Sequence, residues 1–194
     1  MSHNRIAVYS GSFNPLHIGH LAIMKHLTQE AGFDMVYLIV SPKNPLKDSI
    51  SSNSATERYN AALEAVNRHF GTSRQSEVAV KVDDIELRMP EPHYTVKTLK
   101  ALLEREPEND FTLIMGADNL AVIRKWKDYA TILTDFGIAV FPREGHDLKQ
   151  IRQNLIDENP EYKITLLDAP LVTVSSTEIR DALSQGKDIS HLLM

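Results

Sequence analysis

His17, Gly19 and His20 stand directly after the run Arg5-Ile6-Ala7-Val8-Tyr9-Ser10-Gly11-Ser12-Phe13-Asn14-Pro15. Imidazoles one helical turn apart can aim hydrogen-bond donors at the same spot. The preceding run reads as a buried strand and a tight turn, so the histidines open a helix. A helix start carries unpaired N–H groups and the positive end of the dipole, and it attracts phosphate. The combination suggests a nucleotide triphosphate held for attack at phosphorus. Gly11 lets the chain turn and lets backbone approach a phosphate, with Ser12 and Phe13 completing the turn. Gly19 costs about 1 kcal/mol of helix propensity relative to alanine, and it leaves room for a base or ribose against the helix. A lone histidine on a helix is more often a surface or core residue than a ligand. Two that flank a glycine after a strand and a Gly-Ser-Phe turn reverse that balance.

A second stretch near the other end carries matching chemistry, in Val174-Ser175-Ser176-Thr177-Glu178-Ile179-Arg180. Hydroxyls and free N–H groups at a helix start, with a guanidinium one turn later, make an anion cradle. The plainer reading is a capping box, with Ser175 as N-cap and Glu178 as its reciprocal partner. Paired with the first stretch, phosphate binding becomes the better reading of Ser175, Ser176, Thr177 and Arg180. It requires the two stretches to converge on one triphosphate tail.

The elements that must bring them together are legible as an alternation. Apolar, strand-like runs fall at residues 6–10, 35–40, 78–82, 111–115, 138–141 and 163–167. Most are short and bounded by Gly, Pro or Asp, as expected of strands covered on both faces. Between them, Tyr59, Leu63, Val66 and Phe70 repeat at helical spacing behind a Ser54-Ala55-Thr56-Glu57 capping box. Val96, Leu99, Leu102 and Leu103 mark another helix, which Pro107 ends. Further helices are expected over 148–156 and 176–183. The alternation predicts an α/β fold, a doubly wound, mostly parallel Rossmann-like sheet with helices on both faces. Ligands in such sheets bind beyond the carboxyl ends of the strands, where the strand order reverses. Residues 42–54 form the longest polar connection and read as a mobile loop over the site.

Composition narrows the class. The 194 residues suit one domain, over 1–194, with a full core. A net charge of −5 without a basic block argues against extended nucleic-acid binding. No apolar run is long enough to cross a bilayer, and no signal peptide is visible before the first strand. The absence of cysteine excludes disulfides, thiolate catalysis and thiolate metal sites, and fits the cytoplasm. A homo-oligomer is compatible with all of this.

Gly11-Ser12-Phe13-Asn14-Pro15-Leu16-His17-Ile18-Gly19-His20 matches completely the Gly-x-Phe-x-Pro-x-His-x-Gly-His signature of the nucleotidyltransferase superfamily. The later Ser175-Ser176-Thr177-Glu178-Ile179-Arg180 matches its Ser-Ser-Thr-x-x-Arg signature. Two central segments select within the superfamily, Pro92-His93-Tyr94-Thr95-Val96-Lys97-Thr98-Leu99 and Met115-Gly116-Ala117-Asp118-Asn119 followed by Trp126, the only tryptophan. Both resemble nicotinate-nucleotide adenylyltransferases of NAD synthesis, from about residue 5 to residue 183. His93 stands where that family usually has serine, and Lys97 where it usually has aspartate. The resemblance implies adenosine contacts at Gly116 and Asp118, the latter accepting ribose hydroxyls; the alternative for Asp118 is a helix N-cap. It implies that Trp126 stacks on a pyridine ring, and its charged neighbours Arg124, Lys125, Lys127 and Asp128 favour a rim position over a core one. Thr95 would offer its N–H to the nicotinate carboxylate, Lys43 would hold the mononucleotide phosphate, and Arg143 would lie near adenine or phosphate.

The implied reaction joins ATP and nicotinic acid mononucleotide. The mononucleotide phosphate is already anionic, so no general base, covalent intermediate or dedicated protein metal site is required. His17, His20 and Arg180 would act on the phosphates, with Mg2+ bridging phosphate oxygens mostly through water. The rival readings are a sister adenylyltransferase acting on nicotinamide mononucleotide or phosphopantetheine, and a nucleotide-binding protein without turnover. Class I aminoacyl-tRNA synthetases share His-Ile-Gly-His but need a Lys-Met-Ser-Lys-Ser run that is missing here. A dinucleotide-dependent oxidoreductase would need Gly-x-Gly-x-x-Gly after the first strand, which is also missing.

Overall fold

Short runs of Val, Ile and Leu can be buried on both sides only when helices cover both faces of the sheet they form. The computed structural model, which describes residues 3–42, 54–71, 79–171 and 173–194, has this arrangement. The strands are β1 (Arg5–Gly11), β2 (Met35–Val40), β3 (Val80–Asp83), β4 (Asp110–Gly116), β5 (Ile138–Phe141) and β6 (Ile164–Leu166). They form one parallel sheet in the order β3-β2-β1-β4-β5-β6. The order reverses between β1 and β4, whose registers align Tyr9 with Ile114.

The helices are α1 (Ile18–Gln29), α2 (Ala55–Phe70), α3 (Ile85–Arg88), α4 (Thr95–Arg105), α5 (Ala117–Ala121), α6 (Tyr129–Thr131), α7 (Leu148–Glu158) and α8 (Ser176–Ser184). Strand alternation sorts the core into two layers. Ala7 and Tyr9 of β1, with Val36, Leu38 and Val40 of β2, pack against Ile23, Met24 and Leu27 of α1 and Ala62 and Val66 of α2. Ile6 and Val8, with Leu113 and Met115 of β4, face Val96, Leu99 and Leu102 of α4 together with Leu120 and Ile123. Among the described residues no helix is long and apolar enough to cross a membrane.

Some sequence expectations shift. β3 starts at Val80, and Val78 lies outside the described residues. Lys163 and Leu167 flank β6 rather than extending it. Leu63 and Leu103 are exposed, at 37% and 41%. The buried side of α2 runs instead through Arg58, Ala62, Ala65 and Val66. Spacing alone leaves that choice open, because the stripes through 59-63-66-70 and 58-62-65-66 both repeat helically. The Ser54 capping box forms as read: Ser54 Oγ accepts from Glu57 N at 3.1 Å, and Glu57 accepts from Ser54 N at 2.7 Å. Of the 42–54 connection, residues 43–53, including Lys43, lie outside the described residues.

Candidate active site at the sheet switch point

The turn after β1 is made by Phe13, not by Gly11. Phe13 has φ +43°, in the left-handed region that residues with side chains rarely adopt. Gly11 is not in that region. A Cβ on Gly11 would lie 3.1 Å from Phe13 Cζ, so the glycine gives close room to the ring folded over it. Phe13 meets Tyr9 edge-on at 5.4 Å and His20 edge-on at 5.1 Å.

His17 is the N-cap of α1, and its Nδ1 accepts from Gly19 N at 3.2 Å. His20 Nδ1 accepts in turn from His17 N at 3.2 Å. The two rings lie against each other, with centroids 3.7 Å apart and planes tilted by 34°. Because each Nδ1 lone pair is taken by a backbone N–H, each neutral ring carries its proton on Nε2. Burial, reinforced by the Arg143 guanidinium and opposed by Glu178, pushes His17 down to about 4. Burial, then His17 and Arg143, also holds His20 well below the ordinary imidazole value. At neutral pH the pair therefore offers two Nε2–H donors and no charge.

The second stretch docks onto the first. Ser176 Oγ donates to Pro15 O at 3.1 Å, and Arg180 Nη1 donates to Asn14 O at 2.8 Å. Arg180 Nη2 donates to Thr177 Oγ1 at 3.0 Å. Ser175 caps α8: its Oγ accepts from Glu178 N at 3.2 Å and donates to Glu178 Oε2 at 2.7 Å. Those Ser175 hydrogen bonds, with Arg143 and His17 nearby, hold the Glu178 carboxyl below the usual carboxylate range. Leu193 closes the same corner through an antiparallel bridge to His17. Segments more than 160 positions apart thus share one corner beside the β1–β4 switch point.

On the β4 side, Gly116 is the N-cap of α5. A Cβ there would come within 3.0 Å of the Phe141 ring. Asp118 therefore does not cap. Its carboxylate pairs with Arg143 Nε at 3.3 Å and with His146 Nε2 at 2.8 Å, and its side chain is 56% exposed. Arg143 and His146 both follow β5, so three neighbouring strand ends contribute to the site. Sequence reading missed His146, although the strand-end rule pointed to its segment. Thr95 opens α4, so its N–H is one of the first-turn donors without an intrahelical acceptor. Trp126 is half-buried against the second core layer. Its indole Nε1 is buried and has no partner among the described residues.

Arg58 was also missed. It is buried and donates to the carbonyls of Ser12 at 2.6 Å, Ser41 at 2.9 Å and Pro42 at 2.9 Å. Its only sequence signal is its place on the 58-62-65-66 stripe.

A parallel α/β sheet that gathers histidine, serine and arginine side chains beside its switch point is the frame of a nucleotidyltransferase-type domain, and the Cytidylyltransferase-like family model matches residues 8–182. A Flavobacterium johnsoniae protein named "Probable nicotinate-nucleotide adenylyltransferase" is 36% identical over 97% of this chain and 91% of its own length. A Flavobacterium psychrophilum protein of the same name is 39% identical over the same shares. The chain belongs to the nicotinate-nucleotide adenylyltransferase family, and it is an enzyme of the nucleotidyltransferase type. Its fold is also that of a Plasmodium falciparum nicotinic acid mononucleotide adenylyltransferase complexed with NaAD. That likeness has a TM-score of 0.76 at 19% identity, and covers 97% of this chain and 88% of the other.

Proposed function

We propose that this enzyme transfers the adenylyl group of ATP to nicotinic acid mononucleotide, forming the deamido dinucleotide and releasing pyrophosphate. The supporting observation is the docking of Ser176 and Arg180 onto the Asn14 and Pro15 carbonyls, beside the α1 start. One anion could be gripped there from both sides. A phosphate oxygen of the mononucleotide attacks the α-phosphorus, and the bond from that phosphorus to the bridging oxygen breaks. The proton balance needs no base, because the attacking phosphate is already ionised.

Catalysis in this reading is positioning and charge stabilisation. The Nε2–H groups of His17 and His20 donate to the α- and β-phosphates. Ser176, Thr177, Arg180 and the α8 N–H groups hold the β- and γ-phosphates. Ser175 serves by capping α8, because Glu178 takes both its hydroxyl and its N–H. Gly11, Ser12, Phe13 and Gly19 shape the nucleotide's approach to α1. Gly116 and Asp118 receive the adenosine, with Arg143 between Asp118 and the histidines. Thr95 and Trp126 serve the pyridine side, with Lys43 on the mononucleotide phosphate. No cluster of three ligating His, Asp or Glu side chains occurs among the described residues. The site's own groups are chiefly donors, which suits Mg2+ arriving with ATP on its phosphate oxygens. The cytoplasm is the proposed compartment, on composition alone.

The test is pyrophosphate release from MgATP with nicotinic acid mononucleotide, nicotinamide mononucleotide and phosphopantetheine side by side. The acid should give the highest kcat/KM. A higher value with either other acceptor would replace the proposed substrate. ATP binding with no release for any acceptor would replace catalysis by nucleotide binding.

A further inference from the structure

Arg58 lies on the buried face of α2 and is 3% exposed. A buried guanidinium is ordinarily paired with a carboxylate, because its desolvation is otherwise left without compensation. Among the described residues Arg58 makes no ion pair. Its partners among those residues are three main-chain carbonyls, and its buried Nε has no acceptor among them. A leucine or methionine would fill the same space without a buried charge. The arginine is therefore explained by what it holds.

Ser12 O belongs to the peptide that enters Phe13, the residue at φ +43°. The orientation of that peptide plane defines φ at Phe13. A left-handed residue with a side chain is sterically disfavoured and persists only when its surroundings fix it. Ser41 O and Pro42 O belong to the segment that directly follows β2, which is also stitched to β1. Ser41 N donates to Gly11 O at 2.9 Å, and the Ser10 and Ser41 hydroxyls lie 3.0 Å apart. The 12–15 turn is thus gripped from two sides, by Arg58 at Ser12 and by Arg180 and Ser176 at Asn14 and Pro15.

We propose that Arg58 is a positioning residue for the triphosphate turn. Its planar fork holds the Ser12–Phe13 peptide against the end of β2, keeps Phe13 left-handed and so aims the start of α1. The inference rests on reading the α1 start as the triphosphate site. Arg58 touches no reacting atom; it acts from behind through backbone. Planarity matters as well as charge, because the three carbonyls lie on two segments and a lysine ammonium is a single point.

The test compares the parent with Arg58→Lys and Arg58→Met in the full chain, below their thermal midpoints. It reads binding of the non-reacting analogue α,β-methylene-ATP by calorimetry, together with kcat and KM for MgATP. Both variants should bind the analogue about tenfold or more weakly and show a raised KM for MgATP. Lysine should behave like methionine and not like arginine. Parent-like affinity in Arg58→Lys would overturn the proposal, because charge alone would suffice. A lowered midpoint with unchanged affinity in Arg58→Met would overturn it too, because the role would be only structural. Should the methionine variant not fold, the lysine variant decides alone. A parent that binds the analogue but transfers to no pyridine mononucleotide would refute the proposed acceptor, and the Arg58 comparison would still be decided by affinity.

Discussion

Two helices start at the same corner of this molecule, α1 and α8, and both close their first turn with a reciprocal capping box. In α8 the box is made of Ser175 and Glu178, and the carboxylate brings a negative charge to the positive end of the helix. In α1 the reciprocal bonds are made through imidazole Nδ1 atoms, with His20 accepting from His17 N and His17 accepting from Gly19 N, one position earlier than in α8. Imidazole closes that cap without adding negative charge, and it leaves a second nitrogen, Nε2, with a proton to donate. The first helix start thus remains attractive to an anion while its geometry is fixed. The second is partly neutralised by its own cap and offers Arg180 and hydroxyls in compensation. One geometric device serves as chemistry in one place and mainly as architecture in the other.

Substitutions can break or sharpen this contrast. The largest effect should come from His20→Ala, which removes both a cap acceptor and a donor. Turnover should fall about a hundredfold or more, with a much smaller change in unfolding free energy. Parent-like turnover, measured by pyrophosphate release, would end the catalytic assignment. Arg180→Ala should come next, raising the KM for MgATP roughly tenfold through loss of one charge-assisted contact, with a lesser effect on the mononucleotide's KM. Equal changes in both constants would mean that Arg180 acts only by holding Asn14.

Acid should then separate the two caps. His17 titrates near 4 in the folded chain, whereas imidazole in the unfolded chain titrates at about 6.5. As pH falls below about 6.5 the unfolded chain takes up the proton first, so stability declines toward pH 4 and is level on this account above 6.5. Denaturant midpoints followed from pH 8 to 4.5 should show this decline in the parent. His17→Asn, which keeps a cap acceptor, should show a shallower one. Identical acid slopes would show that His17 is not held neutral. The smallest effect should be that of Ser175→Ala, which loses a helix cap worth about 1 kcal/mol and changes kcat little. A large fall in kcat would give the Ser175 hydroxyl a phosphate contact that the observed cap does not provide.

What was legible in the sequence was what is local. The strand–turn–helix run around His17 and His20, the Ser54 and Ser175 caps and the alternation of elements depend on neighbours a few positions apart. They could be read without a fold. Arg58 could not, because its partners are main-chain carbonyls 16 to 46 positions away, and no residue type marks a carbonyl. The left-handed Phe13 was hidden by Gly11, which drew the turn to itself although its small size serves the Phe13 ring. His146 was within reach, since it follows a strand end, but it sits in the polar run Arg143-Glu144-Gly145-His146-Asp147, where solvation is the ordinary reading. Residue type alone leaves Asp118 between ribose and cap; the helix starts one residue before it, and Gly116 fills the cap position.

Gly11 and Gly116, at the ends of the two central strands, each lie beneath an aromatic ring, Phe13 over one and Phe141 over the other. Tyr9 touches both rings. This limits how the chain can diverge. A methyl group at either glycine has to be met by a shift of the ring above it or by a smaller neighbour, and shrinking Phe13 would strip His20 of its apolar backing and admit water behind the donors. Water there would weaken every electrostatic contact to a bound nucleotide. Each glycine and the ring above it are therefore coupled, so that a change in one bears on the other.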